Sequence, residues 1–288
     1  MNNEVALMIE NYHPSRIQER TNAVKEVLQE LALSGLSKAG FFDHAAFYGG
    51  TSLRIFYGLN RFSEDLDFAL IDQNEDFQIE KYFPFLIEHF KSYGINISVE
   101  SKNKAVFSDV QSSYIKVNAQ ELMASLFPNV DDSKRIVFNQ KFKIKFEIDI
   151  HNPSGGKSVI VSKSDPIPYQ ARVFDLPTLF AGKIAAVLCR SYQNRVKGRD
   201  YYDYLFFISK KTPFNLKYLE NKLKKAEKIP FNQTLTLKNV KDLLFEKFLQ
   251  VDYKFAIDDV LNFIDYNEDI TSWNKDLFIS TLDQLKCI

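Results

Sequence analysis

Polar and apolar residues alternate over residues 141–150 with the two-residue period of a β-strand. Phe142, Ile144, Phe146, Ile148 and Ile150 fall on one face, and lysines and carboxylates fall on the other. Because successive side chains of a strand point to opposite faces, this pattern predicts a half-buried strand over Lys141–Ile150. Shorter apolar runs predict further strands at 45–48, 66–71 and 95–99, with weaker signals at 106–110 and 114–117.

Apolar residues recur every three or four positions over residues 15–39, which predicts an amphipathic helix that Ser15 caps. The same spacing predicts a series of further helices, at 51–57, 79–93, 179–192, 201–209, 216–226, 238–249, 255–264 and 273–285.

Strands and helices therefore mix in the first half of the chain, whereas the second half is helical. We predict an α/β domain with an N-terminal helix over residues 1–170 and a mainly helical domain over 171–288. The boundary is expected near Pro166–Pro177.

Composition narrows the class of protein. The chain has 288 residues, 45% of them hydrophobic and 26% charged, which is typical of a globular protein with a large core. Its 37 basic and 37 acidic residues cancel, so a nucleic-acid partner would need a local basic patch. Cys189 and Cys287 are too few for a disulfide framework and fit a reducing cytosol. No signal peptide or membrane-spanning run is seen, so we expect a cytoplasmic protein without membrane contact.

A pair of carboxylates marks the entry of the predicted strand at 66–71. Asp65 and Asp67 are two residues apart, so both side chains lie on the same face of a strand. Two close carboxylates repel each other unless a cation compensates their charge, and divalent ions such as Mg²⁺ take oxygen ligands readily. An isolated pair of this kind is usually a solvated strand edge.

A glycine pair precedes these carboxylates. Gly49 and Gly50 stand between a predicted strand and the helix predicted from Thr51. Glycine lets the backbone approach a phosphate closely, and the amides of a helix N-terminus attract anions. Gly-Gly alone is more often an ordinary turn, but together with Asp65 and Asp67 it predicts a metal-assisted phosphate chemistry.

The segments 47–54 (Phe-Tyr-Gly-Gly-Thr-Ser-Leu-Arg) and 61–68 (Arg-Phe-Ser-Glu-Asp-Leu-Asp-Phe) closely resemble the AbiEii toxin family of the polymerase-beta-like nucleotidyltransferase superfamily. The resemblance implies a polymerase-beta-like α/β domain with a mixed β-sheet, followed by a mainly α-helical C-terminal domain. One departure is Tyr48, where many relatives carry a lysine before the glycines. Any phosphate contact made by that lysine would fall to another group here.

The resemblance also implies site residues. Mg²⁺ or Mn²⁺ would be held by Asp65 and Asp67, and a nucleoside triphosphate would be the substrate. The nucleotide-binding residues implied are Gly49, Gly50, Thr51, Ser52, Arg54, Arg61, Ser63, Arg190 and Arg199.

A second group of charged residues runs from Lys183 to Asp203. From residue types alone this is a helical hairpin with a solvated basic loop, in which Asp200 caps the second helix. The resemblance instead implies a catalytic Lys183 that contacts the triphosphate, and a catalytic Asp200 that orients Lys183 or acts as a base. Asp203 is the less favoured partner. Arg190, Arg195 and Arg199 would then grip phosphates of the nucleotide or of RNA.

A third metal ligand is expected on the strand at 141–150, where Glu147 and Asp149 lie on the polar face. Asp149 is the preferred ligand, because it lies near the strand end. An ordinary polar strand face is an equally good interpretation. His151 is interpreted as structural.

Lysines concentrate at 210–228, which indicates either a solvated helix face, the interpretation we favour, or an RNA phosphate track. Aromatic residues at 245–273 have core-like spacing and predict packing.

The AbiEii resemblance implies a toxin with an AbiEi-like antitoxin partner, often a winged-helix protein, and the 3′ end of tRNA as acceptor. Two alternatives stay open. One is a nucleotidyltransferase that modifies a small molecule or a protein, and the other is a non-catalytic protein that binds nucleotide or a partner.

Overall fold

The computed structural model describes residues 3–101, 109–127, 140–190, 196–264 and 268–288. This part of the chain contains eleven α-helices, which are α1 Asn3–Glu10, α2 Ile17–Lys38, α3 Gly49–Tyr57, α4 Phe83–Ser92, α5 Ala119–Leu126, α6 Leu176–Cys189, α7 Gly198–Ser209, α8 Leu216–Lys225, α9 Leu237–Leu249, α10 Tyr253–Val260 and α11 Lys275–Ser280. It also contains seven strands, which are β1 Ala45–Tyr48, β2 Asp65–Leu70, β3 Ser98–Ser101, β4 Val110–Asn118, β5 Lys141–Asp149, β6 Ser158–Lys163 and β7 Tyr169–Phe174.

The strands form one sheet in the order β3-β4-β5-β2-β1-β7-β6. The pairs β2–β5 and β1–β7 are parallel, whereas β1–β2, β3–β4 and β4–β5 are antiparallel. The sheet is therefore mixed, which confirms the predicted α/β class.

The two faces of the central strands differ in polarity, as the alternation in β5 predicts. Leu66 and Phe68 of β2 are buried, and Phe68 stacks on Phe146 of β5 with ring centroids 6.1 Å apart. Asp65 and Asp67 alternate with them and lie on the opposite, half-buried face. The apolar face joins the core that includes the buried leucines of α2. The polar face carries the carboxylates of Asp65 and Asp67.

The start of α2 differs from the prediction. Arg16, not Ser15, is the N-cap residue, and the helix begins at Ile17. Ser15 instead donates from its backbone N–H and its hydroxyl to Oε2 of Glu19, at 2.9 and 2.8 Å. Oε2 of Glu19, in the first turn, thus accepts both donors of Ser15 and also the backbone N–H of the N-cap residue Arg16, at 3.1 Å.

An aromatic core holds the helical part together. Phe180 of α6 and Phe207 of α7 stack with centroids 4.6 Å apart and an angle of 12°. Phe248 and Trp273 are buried as predicted, but Phe245 and Phe255, at 39% and 58% exposure, are not core residues. Tyr266, also interpreted as packing, lies outside the described residues.

Several elements have no counterpart in the prediction, namely α1, α5, β6 and β7. In β7 the inward positions include a small residue, Ala171, so the run is too weakly apolar to stand out. In β6 the apolar Val159 and Ile160 are exposed, which is the reverse of the usual signal. Of the weak strand predicted at 106–110, residues 106–108 lie outside the described part, and Val110 begins β4.

The chain divides into two compact units, each built from several segments. The first comprises residues 1–52, 63–152 and 160–173, and the second comprises 53–62, 153–159 and 174–288. The domain boundary expected after residue 170 stays a prediction.

Candidate active site

The glycine pair lies where β1 ends and α3 begins. Gly49 has a φ of +86°, a left-handed conformation that favours glycine. A Cβ atom at this position would stand 2.3 Å from Oδ2 of Asp67. Both the backbone conformation and the lack of space for a Cβ atom therefore require glycine at position 49. Because glycine has no side chain, the Asp67 carboxylate can lie against the first turn of α3.

The first turn of α3 is fixed to the carboxylate strand. The hydroxyl of Thr51, which is fully buried, donates to the backbone carbonyl of Asp65 over 2.5 Å. Ser52 is also fully buried, and within the described residues its hydroxyl has no hydrogen-bond partner. This hydrogen bond of Thr51 joins the first turn of α3 to β2. Anion binding by the backbone amides of Gly49 and Gly50 stays a prediction.

The register of β5 decides which side chains accompany the carboxylates. Asp65 aligns with Lys145, Asp67 aligns with Glu147, and Asp149 aligns with Ala69. Lys145 places its Nζ atom 2.6 Å from Oε1 of Glu147. Partial burial lowers the pKa of Lys145, but the hydrogen bond and charge of Glu147 outweigh it and raise that pKa above its ordinary value. Glu147, and not Asp149, the ligand preferred from the sequence, is the strand neighbour of Asp67.

Asp149 and His151 have structural contacts at the end of β5. Oδ1 of Asp149, a buried residue, accepts the backbone N–H of His151 over 3.1 Å. The imidazole of His151 lies 3.2 Å from a carboxylate oxygen of Asp109 and 3.5 Å from one of Glu75. Asp149 as a metal ligand stays a prediction.

Ser63 and Glu64 lead into β2 and are held by a residue that the sequence did not single out. Gln29 of α2 is 1% exposed and donates from its side-chain nitrogen to the carbonyls of both, at 2.9 Å each. The buried part of α2 also contains Glu26, Glu30 and Ser34, so Gln29 does not stand out in the sequence. Its role follows from the requirement that a buried amide be hydrogen-bonded.

Arg54 and Arg61 stabilise the loop between α3 and β2. Arg54 donates to the carbonyls of Leu59 and Asn60, at 3.2 and 2.8 Å, and covers the ring of Phe62. Arg61 is 2% exposed, and its guanidinium points inward. Arg54 and Arg61 therefore act as positioning residues for this loop, and nucleotide binding by either stays a prediction.

Asp203 organises a buried charged cluster in the second unit. Arg61 donates to both of its carboxylate oxygens over 2.6 Å, and Nζ of Lys183 lies 2.6 Å from Oδ2. Burial would raise the pKa of Asp203, but the charges of Arg61 and Lys183 hold it below its ordinary value. The sequence favoured Asp200 as the partner of Lys183, yet that distance is longer, 3.7 Å.

Asp200 lies in the first turn of α7 and is not its cap, because Lys197 is the N-cap residue. Its carboxylate is paired with Arg190 and, more distantly, with Lys183. Arg61, Asp203, Lys183, Asp200 and Arg190 therefore form one chain of alternating charges. The three-residue spacing of Asp200 and Asp203, which places them on one helix face, is the signal for this arrangement.

Arg199 faces away from this cluster and packs on α10. Its Nε atom lies 3.5 Å from Oδ2 of Asp259, and its guanidinium stands 4.1 Å from the centroid of the Phe263 ring. A contact with phosphate stays a prediction for Arg199. Arg195 lies outside the described residues.

The lysines of α8 largely support their own helix. Glu220 accepts from Lys217 and Lys224 at 2.9 Å each and from the backbone of Leu235 at 2.8 Å. The Leu235 backbone bond and these lysines lower the pKa of Glu220 to about 2. This agrees with the favoured interpretation of a solvated helix face.

Two absences hold for the described part of the chain. It contains no group of three or more histidine, cysteine, aspartate or glutamate side chains arranged to hold a metal ion. None of its helices is long and apolar enough to cross a membrane.

The described residues thus hold a glycine turn beside the Asp67 carboxylate and, separately, the ammonium of Lys183 between two aspartates. Helix-terminal amides and carboxylates of this kind are typical of proteins that bind phosphates and divalent ions. Residues 31–275 match the family model described as nucleotidyl transferase AbiEii toxin, type IV toxin–antitoxin system, and the chain belongs to this family. It is thus a nucleotidyltransferase of a type IV toxin family, which implies an antitoxin as its partner.

Two solved structures from Helicobacter pylori match this chain. JHP933 is 18% identical with a TM-score of 0.45, and the match covers 91% of this chain and 88% of that one. A second protein, a candidate nucleotidyltransferase, is 18% identical with a TM-score of 0.42, covering 90% and 95%. Among curated proteins, none matches this chain significantly.

Proposed function

We propose that this chain transfers a nucleotidyl group from a nucleoside triphosphate to an acceptor hydroxyl in a reaction that depends on Mg²⁺ or Mn²⁺. The observation that carries the proposal is the contact between Gly49 and the carboxylate of Asp67. A carboxylate oxygen that could hold a divalent ion lies next to the first turn of a helix, whose terminal amides would attract a triphosphate.

The residues fit a divalent ion. Asp65 and Asp67 place two carboxylates on one half-buried strand face, and Mg²⁺ is commonly held by one or two carboxylates together with substrate phosphates. A set of three protein ligands is therefore not needed. When bound, the ion would neutralise phosphate charge and favour the acceptor hydroxyl as a nucleophile.

The transfer exchanges one phosphorus–oxygen bond for another. The acceptor oxygen bonds to the α-phosphorus as the bond to the bridging oxygen breaks, and pyrophosphate leaves. Lys183 supplies positive charge to the departing phosphates, and Asp203 and Asp200 fix its position. Asp200 either holds Lys183 or takes the acceptor proton, and Arg190 supplies a further cation for phosphate.

The acceptor that best suits a toxin of this family is the 3′ end of tRNA. A nucleotide added there would block aminoacylation and so inhibit translation. An AbiEi-like antitoxin would be the cognate partner. This part of the proposal is supported by the family alone, because nothing in the residue geometry selects the acceptor.

The test is transfer of label from each of the four triphosphates to total RNA by the purified protein with Mg²⁺. We expect label in tRNA for the parent protein and none for Asp65→Asn. Asp72→Asn is the matched control, because Asp72 is an exposed aspartate just beyond β2 and should leave transfer unchanged.

Other results would redirect the proposal. Label in small molecules or protein, with none in RNA, would replace the tRNA acceptor by the alternative substrates. Asp65→Asn as active or as toxic in cells as the parent would overturn the catalytic role of the carboxylate pair. No transfer to any acceptor would leave a non-catalytic nucleotide-binding protein.

A further inference from the structure

The second unit contains a cleft that the transfer chemistry does not use. Its volume is about 440 Å³, and its walls come from the loop after α3, one face of α7 and the segment that precedes α11. None of Asp65, Asp67, Lys183 or Asp200 lines it. The cleft is therefore distinct from the residues proposed for the transfer reaction.

One face of α7 supplies an aromatic wall. Tyr202, Phe206 and Ser209 are spaced four and three residues apart, so they form a single stripe, whereas Asp203 points into the buried ion cluster. Trp273 also lines the cleft and packs beside Tyr202, with ring centroids 6.4 Å apart. Trp273 is itself packed edge-on against buried Phe278 at 5.5 Å, which fixes its position.

Polar groups are placed among these rings. Glu268 accepts a hydrogen bond from the hydroxyl of Tyr202 over 2.6 Å. Burial and the neighbouring Glu268 raise the pKa of Tyr202, so the phenol keeps its proton and orients the carboxylate. Asn60 adds an amide, and Lys210 holds its ammonium 5.0 Å from the centroid of the Phe206 ring.

We propose that this cleft binds a nucleoside, with the base against the aromatic wall and the ribose hydroxyls donating to Glu268. Flat aromatic side chains bind bases of any sequence by stacking, and a carboxylate is the usual acceptor for a ribose diol. Asn60 can read the edge of the base, and Lys210 can meet a 5′-phosphate. An organic cation fits less well, because Lys210 already places a positive charge on the aromatic wall.

This inference does not rest on nucleotidyl transfer, and it can be tested without metal or triphosphate. The chain has one tryptophan, Trp273, so intrinsic tryptophan fluorescence reports on the cleft alone. Titration with adenosine and with cytidine should give a saturable change in this signal. Asp65→Asn should bind equally well, which separates this site from the proposed active site.

The proposed contact between Glu268 and the ribose diol can be removed from either side. Glu268→Gln removes the charged acceptor, and 2′,3′-dideoxyadenosine lacks the diol. Loss of the diol should weaken binding to the parent roughly tenfold, since hydrogen bonds to a charged group are the stronger kind. In Glu268→Gln, which can still accept from Tyr202, adenosine should bind as weakly as the dideoxy compound. Far-UV circular dichroism checks that the variant is folded.

Further titrations distinguish a free nucleotide from an RNA strand as the molecule that supplies the nucleoside. Adenosine 5′-monophosphate binding more tightly than adenosine, with the gain lost in Lys210→Met, supports a nucleotide. Tighter binding of a short single-stranded RNA supports an RNA strand as the occupant. No saturable change with any of these, equal binding of adenosine and the dideoxy compound to the parent, or preferential binding of choline would overturn the proposal.

Discussion

Arg61 and Asp203 form a buried bidentate ion pair in which both nitrogen–oxygen distances are 2.6 Å, although 142 residues separate them in the chain. Arg61 belongs to the motif that precedes the carboxylate pair, and Asp203 belongs to α7. The pair fixes the loop after α3 to α7 and, through Lys183, sets the position of a candidate catalytic ammonium.

Replacing Arg61 should destabilise the protein strongly. Arg61→Met leaves Asp203 buried with Lys183 alone, and loss of one partner from a buried pair costs about 3–5 kcal/mol. Arg61→Lys keeps the charge but not the bidentate geometry, so we expect an intermediate loss. Urea unfolding measures both. Lys91→Met is the control, because its pair with Glu88 is 3.9 Å long and exposed, and the change should cost less than about 1 kcal/mol. Equal stability of Arg61→Met and the parent would mean that the pair is not a structural anchor.

Lys183→Met should separate activity from stability. Asp203 keeps both hydrogen bonds from Arg61 in this variant, so the loss of unfolding free energy should be smaller than for Arg61→Met. Transfer should fall about 10²-fold or more, because a group that stabilises charge in the transition state is removed. Lys217→Met, at an exposed lysine of α8, is the activity control. A parent-like rate in Lys183→Met would exclude Lys183 from the chemistry.

The glycine turn and the carboxylate pair could be predicted from the sequence, because each depends only on residues that are close together in the chain. Gly49, Asp65 and Asp67 lie within twenty residues of one another, and strand periodicity alone places both carboxylates on one face. The central strand β5 was equally clear, since it alternates over its full length.

Long-range contacts could not be predicted in this way. Nothing in the neighbourhood of Arg61 indicates that Asp203 neutralises it, so the sequence favours a phosphate-binding role for Arg61. The neighbour of Asp67 on β5 depends on strand register, which one sequence does not determine, and Asp149 was therefore preferred to Glu147. The edge strand β6 was missed because its apolar residues are exposed.

Gly198 should be intolerant of any side chain. A Cβ atom there would stand 1.7 Å from the backbone oxygen of Ala256, where α7 and α10 cross. Gly198→Ala must push two helix backbones apart, and we expect a loss of several kcal/mol, on the order of that seen for overpacked cores or more. Gly182→Ala is the matched control, since no atom lies within 4 Å of its added Cβ and Gly182 is inside α6. That change should raise the unfolding free energy by up to about 1 kcal/mol. Thermal or urea unfolding of the two variants should therefore show opposite signs, and a harmless Gly198→Ala would contradict the close crossing.

Glu147 should matter more than Asp149 for metal-dependent activity. Strand register puts Glu147 beside Asp67, whereas Asp149 aligns with Ala69 and its carboxylate accepts the backbone of His151. We expect Glu147→Gln to raise the Mg²⁺ concentration needed for half-maximal transfer by about 10-fold, as is typical for a group that supports metal ligands. Asp149→Asn keeps an acceptor for the backbone N–H of His151 and should change this Mg²⁺ concentration little. The reverse order would restore Asp149 as the third carboxylate.

His89 should make the stability of the protein sensitive to mild acid. Burial, with a smaller contribution from Lys38, lowers the pKa of His89 to about 4, and its Nε2 atom has no hydrogen-bond partner within the described residues. The unfolded chain binds a proton near pH 6.5, so between about pH 6.5 and pH 4 the unfolded state holds more protons and stability falls as pH falls. After allowance for partial exposure, we expect the parent to lose about 1 kcal/mol more than His89→Leu between about pH 7.5 and pH 5. Urea unfolding at the two pH values measures this difference, and because other groups titrate equally in both proteins they cancel. An identical pH dependence in the two proteins would show that folding does not lower the pKa of His89.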